Sequence, residues 1–302
     1  MKIEILFKEV ANQYGDTGNI IYLETIAKTN KDVEIIHTSI HDDFKFLTEK
    51  VDLVYIGATT EEKFNKILEK FMNNREQILK KIHEGQYILG TGNAINLFVK
   101  NIILDRRYEE KNFNIVKENP KTITKYNASI LNNMKTYIDL DKIPDKYIQK
   151  ALGIIPLIAV TDMLSRYNGF TISEYITKEN KKIELVGHRN SFTKLYPEKQ
   201  GNHYYNIDTL ETFSKVIRGD GINEELKYEG YHINNVFLTE MVGPFLVLNP
   251  LFTKELFKQF NILELPLFDE MLEAYNIRKQ EFKDPNKMEK QSFWNKLFGK
   301  IG

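Results

Sequence analysis

Cysteine is absent from all 302 residues, which excludes disulfides, thiolate zinc sites, iron–sulfur clusters and a cysteine nucleophile together. A surplus of charge is also lacking. The 42 Lys and Arg residues balance 42 Asp and Glu, so no chain-wide field draws the protein to nucleic acid or anionic lipid. No apolar run approaches the ~18 residues of a membrane span. The opening Met1-Lys2-Ile3-Glu4-Ile5-Leu6-Phe7-Lys8 is too short and interrupted for a signal peptide, so the expected location is the cytoplasm. The six histidines, His37, His41, His83, His188, His203 and His232, show no metal-ligand spacing. No metal and no cofactor are expected.

What is present is an ordinary globular composition, 42% hydrophobic and 28% charged, with enough apolar material for a sizeable core. Short apolar runs at Ile3 to Phe7, Val33 to His37, Val51 to Ile56 and Gln86 to Leu89 read as strands. Between them, Ile20, Ile21, Leu23, Ile26 and Ala27 form one helical stripe. Phe64, Ile67, Leu68, Phe71, Ile78, Leu79 and Ile82 form a longer one that ends at Gly85. Alternating strands and helices with right-handed crossovers predict a flavodoxin-like, doubly wound α/β sheet. Residues 101–150 break the rhythm and read as an inserted excursion. From Gly153 short strands return at 154–160, 170–175, 183–187 and 233–240, and helices resume at 253–260 and 267–282. The expected organisation is one domain over 1–260, containing the excursion, followed by a helical extension over 261–302.

In such a sheet ligands bind beyond the carboxyl ends of the strands, so the loops after Phe7, Ile56 and Leu89 carry the candidate chemistry. The first, Tyr14-Gly15-Asp16-Thr17-Gly18-Asn19, runs into a helix and can present backbone N–H groups to an anion; a plain helix cap explains it equally well. The second is Gly57-Ala58-Thr59-Thr60, where capping alone suffices. The third, Gly90-Thr91-Gly92-Asn93, lies between a strand and a predicted helix over 94–99, the pattern of a nucleophile elbow with Thr91 at its tip. A threonine hydroxyl is a weak nucleophile without an adjacent base.

Six stretches, in order and spacing, resemble the class I glutamine amidotransferases: YGDTGNIIYLETIAK from Tyr14, VDLVYIGA from Val51, GQYILGTGNAINLF from Gly85, LGIIPLIAVTDMLSRYNGFTI from Leu152, ELVGHRNSFTKLY from Glu184 and FLTEMVGPFLVLNP from Phe237. The likeness is to the glutaminase subunit of lipid II isoglutaminyl synthase and the glutaminase domain of cobyric acid synthase. It implies that the family's cysteine nucleophile falls at Thr91 and that the catalytic histidine, in a run like Tyr-Leu-His-Gly-Pro, falls at Val247. Losing a nucleophile and its base costs on the order of 10⁶ in rate, so the resemblance implies a degenerate glutaminase. It further implies a binding set made of Asp16, Gly18, Asn19, Gly57, Ala58, Thr91, Gly92, Arg166 and Asn190, with Arg166 at a glutamine-binding position and glutamine or another small molecule as the ligand. His188 is a conceivable substitute base for Thr91.

Relatives in this branch work beside a Mur-ligase-like subunit that amidates a peptidoglycan precursor, which implies a protein partner and a scaffolding or regulatory role here. An active hydrolase rebuilt around Thr91 and an interaction protein of an unrelated pathway are the alternatives. The excursion is expected to protrude beside the site as a contact surface. The tail from Asn286 carries Phe293, Trp294, Leu297, Phe298 and Ile301 among Lys287, Lys290, Lys296 and Lys300, an amphipathic pattern expected to pack on protein ahead of a membrane surface.

Overall fold

The computed structural model describes residues 1–103, 138–140, 143, 145–163, 166–200, 203–204, 211–223 and 226–284. Its first sheet begins with β1 (Lys2–Leu6), β2 (Glu34–Thr38), β3 (Leu53–Ile56) and β4 (Tyr87–Thr91), all parallel, within a residue or two of the apolar runs that predict them. Of these, β1, β3 and β4 are buried on both faces while the edge strand β2 is half exposed, and the pleat sorts their residues. Ile3, Ile5, Leu53, Tyr55 and Leu89 enter one core, while Leu6, Val54, Ile56 and Ile88 enter the other. Glu4 interrupts β1, yet it is fully buried. Its carboxylate accepts the Thr38 hydroxyl and the backbone N–H groups of Lys45 and Phe46, and so caps the short α2 (Lys45–Thr48).

Helix α1 (Thr17–Thr29) packs on one face of this sheet, and α3 (Glu61–Asn73) and α4 (Arg75–His83) add their stripes to the other core. The single long helix expected over 64–82 is two. Asn74 leaves helical geometry at φ −111° and ψ 15°, and its side chain turns back to the Lys70 carbonyl, so the helix restarts at Arg75.

The larger departure follows β4. The helix expected over 94–99 is a 3₁₀ turn, Gly92–Leu97, after which the chain becomes β5 (Val99–Ile103). The β-branched Val99, Ile102 and Ile103 favour a strand, and partners are at hand in β7 (Ile148–Lys150) and β8 (Ile155–Thr161). The bound at 101 given to the excursion therefore cuts through β5, and the bound at 150 places its partner β7 within the excursion. The short β6 (Ile138–Asp139) is also in register with β11 (Thr193–Gln200). Residues 104–137, the bulk of the expected protrusion, lie outside the described residues.

Strands β11 and β12 (His203–Tyr204) complete this sheet in the order β12-β11-β8-β5-β7. A five-stranded antiparallel sheet is built from β9 (Tyr167–Ile176), β10 (Lys182–Ser191), β13 (Ser214–Arg218), β14 (Tyr228–Glu229) and β17 (Met241–Val242). Between β14 and β17 the chain returns to the first sheet as the hairpin β15 (Tyr231–Ile233) and β16 (Val236–Thr239). That sheet then reads β15-β16-β4-β3-β1-β2. The doubly wound sheet is thus completed only after the β-rich half has been threaded between β4 and β16.

Three helices follow: α5 (Phe245–Leu248), α6 (Pro250–Lys258) and α7 (Phe268–Lys283). Helix α7 lies across β9 and β10, where Tyr275 donates to the Glu184 carbonyl at 2.8 Å and Phe282 stacks on Phe170 at 4.1 Å. The amphipathic tail, residues 285–302, lies outside the described residues. Among the described residues no helix is long and apolar enough to cross a membrane.

Candidate functional site

The three loops singled out in the sequence meet at the carboxyl end of the first sheet, together with a fourth, Gly243-Pro244, that follows β17. Their backbones approach so closely that a methyl at Gly15 would lie 2.7 Å from the Gly243 Cα. One at Gly18 would lie 2.7 Å from Pro244, and one at Gly57 2.4 Å from the Ala11 carbonyl. Gly18 and Gly57 are therefore positions of close packing.

At the centre lies a fully buried polar chain. The Thr91 hydroxyl donates to Asp16 Oδ2 at 2.6 Å, and the Ala58 N–H reaches the same oxygen at 2.6 Å. Asn19 Nδ2 donates to Asp16 Oδ1 and to the Tyr55 hydroxyl, each at 3.0 Å. Since the Thr91 proton is committed to Asp16, the Tyr55 hydroxyl, 3.1 Å away, donates to Thr91 Oγ1. The Gly243 N–H adds a further bond to the carboxylate, and Asn19 Oδ1 accepts the Leu246 N–H at 2.8 Å. One side chain thus bonds to all four loops. Burial pushes Asp16 up to about 6, against the pull of the Thr91 hydroxyl and the Ala58 and Gly243 N–H groups.

The elbow differs in detail from its sequence reading. Thr91 sits in plain extended backbone, φ −118° and ψ 151°, at the end of β4, with its side chain turned inward and fully buried. The left-handed residue is Gly92, at φ +60°. A nucleophile elbow places its nucleophile on the strained residue, so the tip here is Gly92 and not Thr91. A Cβ on Gly92 would lie 2.6 Å from the Ala58 methyl and 2.8 Å from Val242 Cγ1, so the space above the elbow is occupied. The Ala58 N–H is spent on Asp16, which leaves it unable to serve an oxyanion.

Val247, assigned to the histidine position, lies on α5 and packs with the core around Ile20, Tyr22 and Phe252. The residue brought to the elbow from that region is Val242, five positions earlier and directly before Gly243-Pro244. Sequence reasoning missed it, although the Gly-Pro pair marked the place. His188 pairs with Val242 across β10 and β17, and its ring meets Phe170 edge-on at 5.6 Å. Burial and the Arg166 charge hold its pKa below the usual histidine range, and the hydroxyl of Thr91 is engaged by Asp16 and Tyr55 instead.

The binding candidates divide into a floor and a rim. Asp16, Asn19 and Ala58 belong to the buried network, with Thr91. Arg166 and Asn190 belong to an exposed rim, where the Arg166 Nε–H donates to Asn190 Oδ1. The guanidinium lies 5.6 Å from the Tyr14 ring centroid and 5.1 Å from that of Phe192. Tyr14 is held at φ +56°, unusual for an aromatic residue, and Arg166 also hydrogen-bonds to its hydroxyl. Tyr14 and Phe192 were not anticipated; only their aromatic character in motif loops could have signalled them. Asn93 stitches the second and third loops together by exchanging bonds with the Thr59 N–H and C=O at 2.9 and 2.8 Å. Among the described residues no group of three or more His, Asp or Glu is arranged to hold a metal ion.

No protein-family model matches the chain. Among curated proteins it is similar to the lipid II isoglutaminyl synthase (glutamine-hydrolyzing) subunit GatD of Streptococcus pneumoniae, 22% identical over 286 residues that cover 90% of this chain and 87% of that one. Among solved structures it overlaps a glutamine amidotransferase from Thermotoga maritima, 9% identical, over 94% of this chain and 92% of the other. The TM-score is 0.41, too loose an overlap to carry an argument.

Proposed function

We propose that this chain, a class I glutamine amidotransferase-like protein, binds but does not hydrolyse glutamine-type ligands and serves as a non-catalytic subunit of an amidating enzyme. One observation carries the loss of hydrolysis: the elbow residue is Gly92, which has no side chain, and the space a nucleophile would need is taken by Ala58 and Val242. Registering the family's His-Gly-Pro on Gly243-Pro244 places Val242 at the histidine, which has no proton to exchange. A thioester route then lacks its nucleophile, its base and one N–H donor at once.

The subunit role rests on the likeness to GatD, itself named as a subunit of an amidating enzyme. The partner in this reading is a Mur-ligase-like synthetase, and the pathway is the amidation of a cell-wall precursor in the cytoplasm. Arg166, anchored by Asn190 and flanked by Tyr14 and Phe192, is the group on the rim suited to a ligand carboxylate.

A second reading has one observation in its favour. Thr91 and Asp16 stand at 2.6 Å, the spacing of a hydroxyl nucleophile and a carboxylate base. Both are fully buried, however, and the hydroxyl also accepts from Tyr55, which leaves no direction for a substrate carbonyl to approach. Ammonia release from glutamine decides between them. The proposal expects none above a no-protein control, whereas release that disappears in Thr91→Ala establishes the rebuilt site.

A further inference from the structure

Behind β17 lies a second buried cluster that the site does not use. Arg189 on β10 and Glu240, between β16 and β17, form an ion pair at 2.8 Å with both side chains 3% exposed. Glu229 on β14, 2% exposed, is a second carboxylate of the same cluster. Its Oε1 accepts the Thr239 hydroxyl at 2.8 Å and the Glu240 N–H at 2.7 Å, and the Met241 N–H adds a third bond. Its Oε2 lies 3.4 Å from the Ser214 hydroxyl, which donates to Ser173 at 2.7 Å.

The remaining faces of the cluster are accounted for. The other hydrogen bonds of Arg189 go to the carbonyls of Gly221, Ile222 and Thr193. The Tyr167 ring of β9 lies 5.0 Å from its guanidinium, and the Tyr167 hydroxyl accepts the Asp220 N–H at 3.3 Å, with the Asp220 charge nearby. Two buried carboxylates therefore face one guanidinium. Among the described residues, Glu240 Oε2 and Arg189 Nε have no hydrogen-bond partner.

An unpaired ionised carboxylate in such surroundings costs far more than a neutral one. From this imbalance of two acids against one base we infer that Glu229 and Glu240 share one retained proton, and that its loss weakens the hold of β17 on β10. The strand at stake pairs Met241 with Arg189 and Val242 with His188, so the cluster governs the segment that closes over Gly92. Burial pushes both acids up to about 7, against the pull of Arg189, and the Glu229 charge adds to the rise of Glu240. A folded-state value above the unfolded one gives stability that is complete below the ordinary glutamate range and is lost as pH rises through about 7. One retained proton corresponds to a roughly tenfold rise in the unfolding constant per pH unit across that window.

The test compares urea unfolding of the full chain and of Glu240→Gln, which carries the neutral state permanently, from about pH 5 to 8. The variant is expected to gain ten- to a hundredfold in folding constant relative to wild type across this range, and Glu229→Gln to do the same. Amide protection factors at Met241 and Val242 should fall with pH in wild type and hold in the variants. Parallel stability curves, with a ratio constant to within about threefold, would overturn the inference. If neither variant folds, infrared spectroscopy of the wild type still decides. A buried protonated carboxyl band persisting at about pH 7, above the Asp16 range, is the expected result, and its absence overturns the proposal.

Discussion

Replacing Gly92 with alanine tests the reading of the elbow at its narrowest point. The backbone there is left-handed, φ +60°, which costs a residue with a Cβ about 1–2 kcal/mol. The added methyl would also lie 2.6 Å from the Ala58 Cβ and 2.8 Å from Val242 Cγ1. Neither neighbour has a flexible end to swing away, and overpacking of this kind costs about 1–3 kcal/mol. The sum, about 2–5 kcal/mol, corresponds to a fall in melting temperature of roughly 3–8 °C for a chain of this size.

Thermal melts followed by circular dichroism, with urea titrations for the free energy, measure it directly. Gly92→Ala combined with Ala58→Gly removes one opposing methyl and so relieves the overlap with Ala58 but neither that with Val242 nor the backbone strain, and the double variant should recover only part of the loss. Gly90→Ala is the control. Its backbone is unstrained, and the new methyl would overlap the Leu238 Cδ2 at 2.7 Å, the far end of a side chain, while meeting the Ala94 Cβ at 3.5 Å and the Ile56 Cγ2 at 3.7 Å in ordinary contact. Its cost should be about 1 kcal/mol. A Gly92→Ala protein as stable as the wild type to within about 0.5 kcal/mol would refute both the left-handed assignment and the filled space.

Two further predictions concern the floor and the rim. Thr91→Val keeps the shape but removes the hydroxyl that Asp16 and Tyr55 share, and it should destabilise the fold by about 1–3 kcal/mol in chemical denaturation. The same loss without any change in ligand binding would confine Thr91 to a structural role. Arg166→Ala lies on the exposed rim and should shift stability by less than about 1 kcal/mol, while abolishing the heat of glutamine binding in calorimetry. Unchanged binding would remove Arg166 from the account.

The strands of the first sheet were legible because their runs are short, rich in apolar and β-branched residues and bounded by turns, even where Glu4, Glu34 or Asp52 interrupts them. The α7 helix was legible from its stripe. The split at Asn74 was not, since a stripe of helical period continues across a break that one side chain makes by bonding backward. The turn from helix to β5 was hidden for a different reason: Val99, Ile102 and Ile103 fit either element until distant partners in β7 and β8 decide. At the candidate site, composition pointed to loops that do meet in the fold but not to the atoms that join them. A hydroxyl in a small-residue loop reads as a nucleophile, yet backbone conformation gives the left-handed tip to Gly92, itself buried, and turns Thr91 inward. Val242 could have been read from Gly243-Pro244. The grouping of Arg189, Glu229 and Glu240 could not, because strand pairing brings together charges that are far apart in sequence.

The most direct measurement on the central claim is exposure of the full chain to a diazoketone analogue of glutamine, which alkylates an activated nucleophile in a glutaminase pocket, followed by intact-mass spectrometry. A chain whose elbow is Gly92 and whose Thr91 hydroxyl is held by Asp16 and Tyr55 should remain at its unmodified mass after prolonged incubation. A stoichiometric adduct mapping to Thr91 would contradict the account, because it would show a working nucleophile at the carboxyl end of β4.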